Sequence, residues 1–312
     1  MRRTAIAIVA SCWLFLNAGA FSQSQESFES LQKRAEAGDA KAQNEVGVRL
    51  RTGDGVEKDQ VKALEWYRLA AKQGYATAYY NIGAAFYNGD GVIANENAAC
   101  KWFLLAAEAG ETSGKDGYER EKQDGQTHGG TNCMVLAGDA YLKGVEIPKD
   151  EAHALKMYRD SAEAGNSVAD LRLFAVYSRG DGVEKDTAAA MHWLQEAADR
   201  KDKLGRFMLG RVYEIGQGVP VNLHEACENY KSAVAVGSTE GYVSLAALLE
   251  NGRGVQQDLL EALRLYQFAL VEGDTEARAA IDRVKAQLTK KQLQTIQGHF
   301  HRQMWVDEIA CK

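Results

Sequence analysis

The sequence predicts an all-α solenoid built from helix-turn-helix repeats. Two sets of residues, in one register, support this. Steps of 36 residues, with one of 55, separate glycines at Gly53, Gly89, Gly144, Gly180, Gly216 and Gly252. Ten residues after each glycine stands an alanine, at Ala63, Ala99, Ala154, Ala190, Ala226 and Ala262. A period of this length is typical of one supersecondary unit repeated along the chain.

The first half of each repeat is predicted to be a helix, which we call helix A. In the first repeat, Ala42, Val46 and Leu50 recur at helical spacing. Gly53 follows them, and glycine readily adopts the left-handed conformation that ends a helix. Helix A is therefore expected to stop at the recurring glycine.

The second half of each repeat is predicted to be another helix, helix B. Ala63, Trp66 and Tyr67 fall on one helical face. Asp59 is placed to cap the start of this helix, and Gly74 to end it. The cap position carries Asp or Asn in every repeat, at Asp59, Asn95, Asp150, Asp186, Asn222 and Asp258. Such regularity within one chain supports two helices per repeat.

These motifs resemble the Sel1-like repeat, a relative of the tetratricopeptide repeat. Leu209-Gly210, Tyr213 and Gly216 match the first half of the family pattern, and Lys62-Ala63 and Trp66-Tyr67 match the second half. The resemblance implies a right-handed superhelix. The predicted repeats are 39–74, 75–110, 111–165, 166–201, 202–237 and 238–273.

The remaining segments are assigned from their composition. Residues 21–38 are expected to form an N-terminal capping helix, and 274–312 C-terminal capping helices followed by a tail. The longer third repeat carries an insertion at about 111–130, rich in glycine and charge. We expect it to be a solvated loop or a lengthened helix end. A lobe that helps to grip a partner is the alternative.

Residues 1–20 have the features of a cleavable signal peptide. Arg2 and Arg3 precede a short apolar run, and Ala18-Gly19-Ala20 fits a cleavage site. The sequence thus predicts a periplasmic or secreted bacterial protein, cut after Ala20, with no membrane span after cleavage. An uncleaved N-terminal anchor is the alternative.

Four cysteines follow the predicted signal peptide: Cys100, Cys133, Cys227 and Cys311. Cys100 and Cys227 occupy the same place three repeats apart, too far for a disulfide. A Cys100–Cys133 bond, or a bond from Cys311, is possible in an oxidising compartment. Four unpaired thiols remain an equal alternative.

Composition and spacing argue against several functions. The net charge of −6, with no basic stripe evident in the sequence, argues against nucleic-acid binding. The six histidines lack ligand spacing, and no nucleophile stands with a base. We therefore expect no enzyme activity, cofactor or metal site. A weak β-lactamase-like activity is disfavoured, because the family members for which it is proposed pair cysteines regularly within repeats.

The candidate binding face follows from the analogy with tetratricopeptide stacks, in which helix A lines the concave wall. The side chains predicted to face inward are Asn44, Arg51, Tyr80, Tyr87, Asn88, Phe207, Arg211 and Glu214. Aromatic and arginine side chains are common anchors of protein interfaces. The predicted function is that of a non-enzymatic scaffold or adaptor in the cell envelope, which binds a protein or peptide along this face. The alternatives are a binder of peptidoglycan or polysaccharide, or a regulator of a cell-wall enzyme.

Overall fold

The computed structural model describes residues 26–124, 129–296, 306 and 309–312. The predicted signal peptide, His128, His299 and His301 lie outside them. The described residues form α1 (Phe28–Glu36), α2 (Ala40–Thr52), α3 (Gln60–Ala71), α4 (Ala76–Asn88), α5 (Glu96–Glu108), α6 (Thr112–Asp124), α7 (Gly129–Lys143), α8 (Glu151–Glu163), α9 (Ser167–Arg179), α10 (Thr187–Asp199), α11 (Lys203–Ile215), α12 (Leu223–Ala235), α13 (Thr239–Asn251), α14 (Leu259–Val271), α15 (Ala277–Lys285) and α16 (Lys290–Ile296). Within the described ranges, no helix is long and apolar enough to span a bilayer.

The chain divides into two compact units, residues 1–117 and 118–312. In the first unit, α2 and α4 are A helices and α3 and α5 are B helices. In the second unit, α7, α9, α11 and α13 are A helices, and α8, α10, α12 and α14 are B helices. Helix α15 continues the A series beyond the sixth repeat. The predicted all-α fold of helix-turn-helix repeats is confirmed.

The turn between helices A and B is held by the same bonds in every repeat. Gly53 ends α2 with a φ of 82°, and the other five recurring glycines also have positive φ. The Asp59 side chain caps α3 by accepting from the Lys62 N–H at 2.9 Å. The Asp59 N–H donates to the Leu50 carbonyl at 2.8 Å, and an equivalent bond links helix A to the cap residue in all six repeats. This turn therefore fixes how helix B leaves helix A.

A glycine in helix A lets an aromatic ring of helix B approach closely. A Cβ at Gly210 would lie 2.6 Å from the ring of Tyr230, so only glycine fits. In the fourth repeat the sizes are exchanged: Phe174 replaces the glycine, and Leu194 replaces the aromatic residue. Both belong to one buried cluster. The aromatic ring thus moves from helix B to helix A, and the smaller Leu194 on helix B leaves space for it.

Lys201 interrupts the series of glycines that end the B helices. Its φ of 63° makes it the one positive-φ residue other than glycine among those the structure describes. A side chain in this conformation costs about 1 kcal/mol relative to glycine. The departure seen in the sequence thus marks a local strain.

Residues 112–124 of the insertion in the third repeat form a packed helix, so the expected solvated loop or lengthened helix end was wrong there. Helix α6 is separate from α5. A Cβ at Gly114 would lie 2.5 Å from the Cβ of Ala106, and one at Gly117 would lie 2.8 Å from the ring of Phe103. The glycines that predicted a loop allow α6 to pack closely on α5.

The C-terminal tail docks on the second unit. Cys311 forms a disulfide with Cys227 in α12 and an isolated antiparallel bridge with Val255. The Lys312 N–H donates to the Gly254 carbonyl at 2.6 Å, and Lys231 Nζ donates to the Ile309 carbonyl at 2.8 Å. A bond from Cys311, one of the predicted alternatives, is thereby confirmed. Cys100 and Cys133 are also disulfide-bonded, so the alternative of four unpaired thiols was wrong.

Candidate interaction face on the A helices

Two of the predicted residues in the first unit are buried or half-buried in contacts between helices. Asn44 is 6% exposed, and its carbonyl oxygen accepts from Asn81 Nδ2 at 2.9 Å. Asn44 was therefore wrongly expected to be available, because the next A helix covers it. Tyr80 is half-buried, with its ring centroid 5.7 Å from that of Phe103. Its ring is partly used in packing between the helices.

The other predicted residues of the first unit lie near the ends of the A helices. Arg51 is half-buried, Tyr87 is 44% exposed, and Asn88 is exposed. The accessible part of this face therefore combines an aromatic ring, an amide and a guanidinium.

The three predicted residues in the second unit have different environments. Phe207 is half-buried, with its ring centroid 6.0 Å from that of Tyr230. Arg211 is exposed. Glu214 is mostly buried, accepts from Tyr230 Oη at 2.7 Å, and pairs with Arg253 at 2.8 Å. Of the three, Arg211 is the most available to a partner.

Glu214 belongs to a three-residue arrangement that recurs in the second unit and that the sequence analysis missed. In each case, a carboxylate of an A helix accepts from a helix B tyrosine and pairs with an arginine of a later repeat. We call this arrangement a clasp. The clasps are Tyr158–Asp139–Arg172, Tyr230–Glu214–Arg253 and Tyr266–Glu250–Arg283. Each one links two consecutive helices of the A series, or the turn after the later one.

In each clasp, the carboxylate lies deeper than the guanidinium. The three carboxylate side chains are 7–19% exposed, whereas the three arginine side chains are 45–55% exposed. Arg283 donates from Nε and Nη2 to Glu250 at 2.7 and 2.8 Å. These bonds from Arg283 are the main cause of the lowered pKa of Glu250, with a further contribution from Tyr266. Burial raises the pKa of all three tyrosines, which therefore remain hydrogen-bond donors.

The second unit also holds a buried ion pair away from the clasps. Asp170 is fully buried in α9, and its Oδ2 lies 2.8 Å from Arg200 Nε. Burial is the main cause that raises the pKa of Asp170 to about 6, although Arg200 opposes this shift. In the described parts of the chain, no group of His, Cys, Asp or Glu is arranged to hold a metal ion.

Comparison with known families agrees with this architecture. The Sel1 repeat matches residues 40–75, 76–111, 131–166, 167–202, 204–238 and 239–270. The chain belongs to the Sel1 repeat family. Sel1 repeats are scaffold repeats of a non-catalytic type, and proteins that contain them generally mediate protein–protein interactions.

Two solved structures are similar to this Sel1 repeat protein. A protective antigen of uropathogenic Escherichia coli with an SLR fold is 26% identical over 88% of this chain, with a TM-score of 0.49. The match spans 65% of the antigen's own length. A Sel1 repeat protein from Oxalobacter formigenes is 26% identical over 79% of this chain and 100% of its own, with a TM-score of 0.47. No curated protein matches the chain.

Proposed function

We propose that this protein is a non-enzymatic scaffold or adaptor of the bacterial cell envelope. It binds a protein or peptide through the A-helix faces of its two units. The six Sel1 repeats carry this proposal, because the family mediates protein–protein interactions. Exposed Tyr87 and Arg211 add side chains of the kinds that anchor interfaces.

The assignment to the envelope is supported by two features. Residues 1–20 have the pattern of a signal peptide, and all four cysteines after that segment are disulfide-bonded. Disulfides persist in oxidising compartments such as the periplasm. Mass spectrometry of the protein from bacterial envelope fractions should find Phe21 as the first residue. A chain that keeps residues 1–20 in the cytoplasm would contradict this assignment.

Site-specific photo-crosslinking tests the binding face. A photo-reactive residue at Tyr87 reports on the A face, and one at Leu69 of α3 is a matched control on a B helix. The two side chains are 44% and 43% exposed. We expect partners to be captured from Tyr87 in living cells but not from Leu69. Equal capture from both positions, or capture from Leu69 alone, would contradict the use of the A face.

Cell-wall glycan is the second candidate ligand, because exposed Tyr87 could stack on a sugar ring. The support for glycan is weaker than the support for a protein partner, because the second tyrosine nearby, Tyr80, packs against Phe103 and is less available for stacking. Co-sedimentation with purified peptidoglycan distinguishes the two functions. Binding that is lost in Tyr87→Ala would favour glycan, and no sedimentation of the wild-type protein would remove this candidate.

A further inference from the structure

We infer that the A-helix face of the second unit recognises an acidic polypeptide. The recognising residues are Arg172, Arg211, Arg253 and Arg283, which we call the arginine row. The inference rests on the proposed scaffold function and adds the chemistry of the partner.

In the second unit, charge is distributed unequally between the A helices and the B helices. Its A helices and α15 together contain nine Lys or Arg residues and six Asp or Glu residues. Its four B helices contain four Lys or Arg residues and eight Asp or Glu residues. The net charge of the whole chain is −6, so this separation is hidden in the composition. A basic surface on an acidic protein attracts anionic partners.

Differences in burial increase this difference in charge between the A helices and the B helices. Of the six acidic residues on these A helices and α15, Asp139, Asp170, Glu214 and Glu250 are buried or half-buried. Eight of the nine basic residues are exposed, Arg206 being the exception. On these helices, the basic side chains therefore lie closer to solvent than most of the carboxylates do.

The clasps hold three members of the row in place. Arg172, Arg253 and Arg283 are each bonded to a carboxylate beneath them, yet each is about half exposed. Their remaining N–H groups can donate to a partner without a large loss of side-chain entropy on binding. Guanidinium groups bind carboxylates in a planar, bidentate manner. The row is thus organised before an acidic side chain arrives.

Arg211 is the fourth member of the row. It is exposed, and it forms no ion pair within the described part of the chain. Its positive charge therefore has no ion-pair partner among the described residues, and Arg211 can be replaced without leaving a buried charge. Arg211 is the most informative residue to test.

Apolar side chains beside the row favour a polypeptide over other polyanions. Leu171, Phe207 and Val243 occupy the same place in successive A helices, nine residues before the turn glycine, and all are half-buried. A peptide with both acidic and apolar side chains can contact these groups and the arginines together. Polyphosphate or an anionic polysaccharide would use the charge alone.

The test measures the affinity for a fluorescent twelve-residue peptide in which Glu and Leu alternate, with Gln in place of Glu as the control peptide. The wild-type protein should bind the Glu peptide at least tenfold more tightly, and added salt should weaken this binding. Arg211→Glu should weaken binding about tenfold, and Arg211→Gln by less. Equal affinity for the two peptides would overturn the inference.

Arg278→Glu is the matched control variant, because it changes the net charge by the same amount. Arg278 is exposed on α15, five residues before Arg283, and so points about 140° away from it around the helix. This variant should bind the Glu peptide as the wild type does. An equal loss in Arg278→Glu and Arg211→Glu would show that only net charge matters, and would overturn the row.

A competition experiment separates polypeptide from polyanion. Inorganic polyphosphate of matched charge should displace the Glu peptide at least tenfold less effectively than the unlabelled peptide does. Equal displacement would overturn the assignment to a polypeptide. If Tyr87 captures a partner in cells while the Glu peptide fails to bind, the scaffold function stands and the inference of an acidic partner fails.

Discussion

The two units use different chemistry at equivalent positions of the repeat. In the first unit, Gln73 Nε2 donates to buried Gln43 at 2.8 Å. In the second unit, Arg200 and buried Asp170 occupy those two places and form an ion pair. Likewise, Asn81 donates to an amide of the preceding A helix, whereas Arg172 at the same place donates to a carboxylate.

The comparison shows which features every repeat shares and which features differ between repeats. The turn, the cap and the packing of helix A on helix B are common to both units. At these two places of the repeat, the links between consecutive repeats are neutral in the first unit and ionic in the second. The stability of the second unit should therefore depend more strongly on pH and on its charged side chains.

The largest effect is expected from breaking the last clasp. Arg283→Ala leaves the buried Glu250 carboxylate without its ion-pair partner, which should cost about 2–4 kcal/mol of unfolding free energy. Urea unfolding followed by circular dichroism measures this loss. Adding Glu250→Gln should recover part of it, since the buried charge is then absent. A loss below 0.5 kcal/mol would show that the clasp contributes little.

The Asp170–Arg200 pair predicts a dependence on pH. The pKa of Asp170 is raised to about 6 in the folded protein from an ordinary 3.8. Protonation therefore stabilises the fold, and this contribution is fully present below pH 3.8 and lost as pH rises through 6. Asp170→Gln with Arg200→Gln copies the neutral pair of the first unit. Relative to wild type, this variant should gain about 1–3 kcal/mol between pH 4.5 and 7.5. Parallel stability curves for the two proteins would contradict the assignment.

A smaller loss is expected when a clasp keeps its charges but loses its phenol. Tyr266→Phe removes the bond from Tyr266 Oη to Glu250 at 2.9 Å, at a cost of about 1–2 kcal/mol. The second repeat already has Phe103 at the equivalent place, so the ring alone is compatible with the fold. Thermal unfolding measures the change. An unchanged melting temperature would mean that water replaces the hydroxyl.

The smallest effect should come from the neutral link of the first unit. Asn44→Ala removes the acceptor of the Asn81 amide, which should cost about 1 kcal/mol. Measured under the same urea conditions, it should destabilise the protein less than Arg283→Ala does. The opposite order would show that the amide link, and not the clasp, is the stronger connection between repeats.

Features that repeat were predictable from the sequence, and contacts between distant residues were not. Gly53 and Asp59 recur at fixed spacing, so the turn and the caps could be found. Asp139 lies five residues before its turn glycine, whereas Glu214 and Glu250 lie two before theirs, so no single pattern reveals the clasps. Their arginines lie 33 or 39 residues further on. The glycines of the insertion, such as Gly114, led us to predict a loop. Glycine is favoured both in loops and where helices pack closely, so the sequence alone did not distinguish the two.

The docked tail changes how the end of the repeat array can unfold. Linear arrays tend to lose their terminal repeats first, because an end repeat has one neighbour. Here the Cys227–Cys311 bond joins residues 84 apart, and such a crosslink can contribute about 4 kcal/mol by restricting the unfolded chain. Amide hydrogens of α13 and α14 should therefore exchange with deuterium more slowly than in a reduced protein. A thiol reductant would restore fraying at this end of the array.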